Sequence, residues 1–142
     1  MKLLIHTLFA SLFLTTFAAA ESYDCKFKVR ANDRKWIPTS LVIKVDQTGH
    51  VSILGNVVKS VDGYPLAGRT TKQTDARKTF VVETENDHIP TTASNRPIPA
   101  NLRRVSYTIS INQKDFSAFL RATTSRWLHD NSRRVAGTCK IR

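Results

Sequence analysis

Groups able to move protons near neutral pH are few in this chain. Beyond residue 20 the histidines are His50, His88 and His129, and Asp87-His88 and His129-Asp130 each set a carboxylate beside an imidazole. Two histidines and a lysine suffice for general acid–base cleavage of a phosphodiester, and a basic protein would suit an RNA substrate. Adjacent residues on an extended chain point to opposite faces, so neither doublet is a dyad by adjacency. The spacing does not require the three histidines to converge. Nucleophile-elbow, zinc-protease and glycine-rich phosphate-loop motifs are absent. Carboxylates are scarce and sit mostly in turn-like segments, which argues against a paired-carboxylate glycosidase. The two cysteines, Cys25 and Cys139, lack C-x-x-C spacing and a histidine cluster, so neither a metal nor a redox role is indicated and no cofactor is expected. The expectation is a non-catalytic protein, with a histidine-based nuclease or other hydrolase as the catalytic alternative.

Charge carries more information. The 142 residues have a formal net charge of +11. From Arg96 onward there are ten Lys and Arg against two acids, whereas Glu21 to Asn95 carries eleven against nine. That asymmetry suits an anionic partner such as lipid headgroups, an acidic polysaccharide or an acidic protein. Nucleic acid fits less well, because the aromatic residues fall mainly at inward strand positions, such as Tyr23, Phe27, Tyr107 and Phe116.

Met1-Lys2 followed by an apolar run to Phe17 and by Ala18-Ala19-Ala20 matches an export signal with an A-x-A cleavage site. The expectation is a signal peptide over 1–20, Glu21 as first mature residue, and a periplasmic or extracellular location. Ser22-Tyr23-Asp24 is not the small, aliphatic run that precedes a lipidated cysteine. No second apolar segment is long enough to span a membrane, and residues 21–142 fit one domain. In an oxidising space two cysteines most simply make one bridge; free thiols or an intermolecular bond are the alternatives.

Period-2 alternation dominates the rest. Tyr23 to Arg30, Leu102 to Asn112 and Arg133 to Arg142 each alternate apolar and polar residues, and both cysteines fall in the inward phase. Further strands are expected at Ser40–Asp46, His50–Leu54, Val57–Val61, Arg69–Thr74, Lys78–Thr84 and Asp115–Thr123, the last with a helical alternative. Turn-forming residues separate them, as at Asp46-Gln47-Thr48-Gly49 and Asp62-Gly63-Tyr64-Pro65. Short, evenly spaced strands predict an all-β fold, a small antiparallel up-and-down barrel of about eight strands, with an open β-sandwich as the alternative. In the barrel, the first and last strands would meet and a Cys25–Cys139 bridge would staple the seam. Trp36 and Trp127 fall near strand ends, where they would plug the barrel or line a ligand mouth. The polar, Pro-rich segment 85–101 breaks the pattern and reads as a surface loop or a flap.

The same phase puts Lys26, Lys28, Arg30, Arg134, Lys140 and Arg142 outside the seam, a cationic ribbon and candidate anion-binding site. Arg103-Arg104, Arg121, Arg126 and Arg133 would extend it. The Tyr23-Asp24-Cys25 opening, the size and the single cysteine pair resemble the periplasmic lysozyme inhibitors in architecture, and barrel-type inhibitors of secreted metalloproteases share size and a single disulfide. No inhibitory motif of either is matched, Trp36 lacks the preceding glycine of a lipocalin Gly-x-Trp, and no family is assigned. The function expected is an exported basic binding module for an anionic envelope component or polymer. The alternative is an inhibitor of a secreted hydrolase that uses the 85–101 loop.

Overall fold

The computed structural model describes residues 19–89, 103–124 and 132–142. Most of the expected leader, the Pro-rich segment from residue 90 onward, and Arg126, Trp127 and His129 lie outside the described residues. The strands are β1 (Glu21–Phe27), β2 (Ser40–Val45), β3 (Val51–Gly55), β4 (Leu66–Gln73), β5 (Arg77–Glu85), β6 (Arg104–Asn112), β7 (Ser117–Thr124) and β8 (Ser132–Ile141). Each pairs antiparallel with the next, and β8 returns to β1, so the sheet is a closed barrel and not an open sandwich. Helix among the described residues is a single 3₁₀ turn at Ala31–Asp33, and none is long and apolar enough to cross a membrane.

Alternation becomes burial directly. On β6, Val105, Tyr107, Ile109 and Ile111 are fully buried, while Ser106, Thr108 and Ser110 between them are partly exposed. Tyr23, Leu41, Ile43, Ile53, Phe80 and Leu120 join them from the other strands and fill the interior, as an eight-stranded barrel of this size allows. The seam has the expected form. Cys25 stands opposite Cys139 on the inner face and the two are disulfide-bonded, closing a chain separation of 114 residues. One step along, Phe27 faces Gly137, where a Cβ would overlap the Lys26 carbonyl oxygen and lie 2.6 Å from the Phe27 ring. Glycine therefore lets β8 approach β1 at the point where the barrel closes.

The two ends differ. At one end the connections are short turns, 46–50, 74–76 and 113–116. Asp46 Oδ1 holds the first by accepting from Thr48 N, Thr48 Oγ1 and His50 N at 2.8, 2.6 and 2.9 Å. In the third, Phe116 takes a positive φ of 55°, and its ring packs on the core from the turn, not from the inward row of β7 where alternation put it. At the other end the connections are long, and 28–39 folds back so that Trp36, fully buried, plugs the barrel and does not line a mouth. Its carbonyl accepts from the Tyr107 hydroxyl, whose pKa burial pushes far up. The expected strand Val57–Val61 is a loop. Gly55 N donates to Val58 O at 2.8 Å, which turns the chain back and buries Val58 against the core, so the apolar pair caps the barrel instead of extending the sheet.

Removing the bridge in Cys25→Ala/Cys139→Ala is expected to lower the unfolding free energy by about 2–5 kcal/mol, the range for a bridge that closes a long loop. Urea unfolding of both proteins measures it, and equal midpoints would show that the seam does not depend on the bond.

Candidate functional site

With the interior filled, the available chemistry lies on the wall and at the ends. Of the three histidines, the two that are described do not converge. His50 sits in the short β2–β3 turn, and His88 follows β5 at the opposite end of the barrel, so these two cannot share a substrate. The most embedded lysine is Lys78, which points into the short-turn end. Its ammonium pairs with the Glu21 carboxylate across the barrel and lies 5.8 Å from the centre of the Tyr23 ring. Tyr23 donates to the same carboxylate at 2.7 Å. Burial alone would lower the Lys78 pKa, but the hydrogen bond and charge of Glu21 outweigh it and the net shift is upward. A lysine held protonated in this way is a structural cation, not a base.

For Glu21, burial would raise the pKa, but the hydrogen bonds from Lys78 and Tyr23 and the Lys78 charge bring it below its ordinary value.

The cationic ribbon is present but divided. Across β1 and β8, Lys26 faces Thr138, and Lys28 N donates to Ala136 O at 2.9 Å, so neither lysine stands opposite another cation. At the short-turn end Lys140 stands opposite Asp24, and Arg142 pairs with the same carboxylate. Two of the ribbon's six cations thus share one carboxylate and leave a single net positive charge there.

At the other end the charge accumulates. Lys28, Arg30 and Arg134 line one open cleft of about 410 Å³ together with Arg133, and among the described residues Asp33 is the one carboxylate in its lining. Asp33 arrives on the 3₁₀ turn, a feature that alternation could not foresee. Like charges do stand opposite each other, but one strand further round: Arg134 faces Arg121 of β7, whose Nε donates to Ser132 Oγ at 3.0 Å. Repulsion across such a pair costs about 0.5–1 kcal/mol in a water-like dielectric. That is small beside what the disulfide contributes five residues further along β8, so the fold tolerates it.

Of the residues expected to extend the patch, Arg121 and Arg133 do. Arg103 instead bonds Asp87 at 2.8 Å, and Arg104 stands opposite Glu85, both on the far side of the barrel. Phe119, which sequence reasoning left unremarked, is 53% exposed on the outer face of β7 beside the cationic strands. Its even spacing from Ser117 and Arg121, out of phase with Ala118 and Leu120, was the available signal.

Fold and site together define a filled, disulfide-closed, eight-stranded barrel with a cationic outer face over β7, β8 and β1. No protein-family model, curated protein or solved structure matches the chain.

The Glu21–Lys78 pair makes a pH prediction. Because the folded pKa of Glu21 lies below its unfolded value, its stabilisation is complete above about pH 4.3–4.5 and is lost as pH falls through the folded pKa. Glu21→Gln is therefore expected to reduce the melting temperature at pH 7, with the gap to wild type closing by pH 2.5. A gap that is constant with pH would refute this account.

Proposed function

We propose that this protein is an exported, non-catalytic binding module whose cationic seam engages an anionic envelope component or polymer. The observation that carries the reading is the convergence of Lys28, Arg30, Arg133 and Arg134 on one cleft in which Asp33 is the only lining carboxylate among the described residues, next to an Arg121–Arg134 pair in direct register. A protein optimised for stability alone has no reason to set two arginines opposite each other on neighbouring strands. An anionic ligand removes that penalty on binding. Charged side chains on an open surface attract over about 8–10 Å at physiological salt, which favours a polyvalent partner over a single small anion.

Two surface contacts of this kind contribute about 0.5–1 kcal/mol each, so Arg30→Ala/Arg134→Ala is expected to weaken binding to labelled heparin, used as a generic polyanion, by about five- to thirtyfold. Wild-type affinity should also fall steeply between 50 and 300 mM NaCl. Binding that ignores salt, or that survives the double substitution undiminished, would sink the proposal.

A second reading, inhibition of a secreted hydrolase, is favoured by one different feature. The β3–β4 loop holds a preformed turn in which Gly63 N donates to Ser60 O, and Tyr64 N donates to Ser60 Oγ, both at 2.9 Å. It presents Val61 fully and Tyr64 largely to solvent beside an open cleft that also includes Glu83 and His88. Rigid apolar tips of this kind anchor protein interfaces. Purified protein assayed at micromolar concentration against a panel of lysozymes and secreted proteases is expected, on this reading, to inhibit one of them and to lose that effect in Val61→Ala/Tyr64→Ala. A silent panel removes the reading.

A further inference from the structure

The cationic cleft does not end at Arg134. A second, smaller cleft of about 240 Å³ continues down the seam, lined by Lys26, Lys28, Ala136 and Thr138, and the two share Lys28 and Ala136. Together they make a trough along β8. Its floor is low because the outward residues of β8 below Arg134 are Ala136 and Thr138. One wall is β1 and the extended chain that continues it, where Lys26, Lys28 and Arg30 repeat every second residue, about 7 Å apart. The other wall is β7, where Phe119 stands opposite Ala136 and Ser117 opposite Thr138. Strand spacing puts Phe119 about 10 Å across the trough from Lys28.

Phe119 is the unexplained element. Its ring contributes nothing to the interior, which Ala118 and Leu120 already face, and half of it stays in water. Around it lie short hydroxyl side chains, Ser117 two residues back on β7 and Ser110 directly opposite on β6, and then the cations Arg121 and Arg134. An apolar platform with a hydroxyl border and a cationic rim matches a ligand unit with an apolar ring face, polar edges and an anionic substituent. An acidic sugar has all three.

We infer that the trough along β8 is a glycan subsite, in which Phe119 stacks against the C–H face of a uronic or similarly charged sugar while Lys26, Lys28 and Arg134 meet the anionic groups of the chain. The inference rests on the anion-binding reading above and narrows its ligand to an acidic polysaccharide. Single-stranded nucleic acid is tracked by several aromatics on which successive bases stack. Among the described outward positions of β7, β8 and β1, Phe119 is the one aromatic. A bilayer interface takes up a continuous apolar surface, whereas Phe119 is isolated among charges and hydroxyls midway along a strand.

The test compares purified wild type, Phe119→Ala and Phe119→Tyr against four probes: oligogalacturonate, polyphosphate, oligo(dT) and phosphatidylglycerol vesicles. Phe119 is exposed, so all three proteins are expected to share one melting temperature. Phe119→Ala should weaken oligogalacturonate binding about three- to tenfold, the size of one stacking contact, and Phe119→Tyr should restore it. The salt dependence of oligogalacturonate binding, and the whole of polyphosphate binding, should be unaffected by either substitution. Equal loss toward polyphosphate, or no loss toward oligogalacturonate, would overturn the subsite and leave the anion reading standing. Oligo(dT) or vesicles binding more tightly than oligogalacturonate in a Phe119-dependent way would assign the trough to a different partner and overturn the glycan inference. Failure of the wild type to bind any of the four overturns both.

Discussion

Closure between β1 and β8 is the constraint on which the rest of this structure depends. A sheet of eight short strands that did not close would leave two unpaired edges, and the interior residues of both would be open to water. Three local features act together at the seam. The inward phase of both strands brings Cys25 opposite Cys139, the disulfide holds that register, and Gly137 gives the Phe27 ring room beside it. A slip of one residue in either strand would turn the cysteines and the apolar row outward together. The bond therefore fixes register as well as connecting the termini.

Closure also decides where chemistry can occur. The barrel is narrow enough for Tyr23, Phe80, Tyr107 and their neighbours to fill it, and Trp36 caps one end. The other end is held by Lys78 reaching across to Glu21, an interior ion pair supported by the Tyr23 hydroxyl. The wall is what remains. Short turns at one end keep the lower barrel compact, while the long connections at the other bring Asp33 and Arg30 over the seam. Charge accumulates at that end of the seam because, among the described residues of β7, β8 and β1, none supplies there the acid that Asp24 supplies below.

Much of the architecture was legible. Alternation in Tyr23–Phe27, Val105–Ile111 and Val135–Cys139 reports which face each strand buries, because a side chain on a sheet has only two directions to point. The cysteine phase reported the closing pair for the same reason. Legibility stopped where period 2 stops. Val57–Val61 reads as a strand, but Val57 and Val58 serve as a cap while Val61 faces solvent, since a backbone turn at Gly55 directs the segment, and Phe116 reaches the core from a left-handed turn residue. Neither outcome is encoded in apolar spacing.

The same limit governs the site. Sequence by itself determined that six cations, Lys26 to Arg142, lie on the outer face of two meeting strands, because facing follows from parity. Only the tertiary structure decided which of them oppose an acid, which share a cleft, and that Arg121 and Phe119 of β7 complete the surface. Those outcomes depend on register between strands distant in sequence and on where a loop carries Asp33. Cross-strand register is set by closure of the whole barrel and not by any one segment.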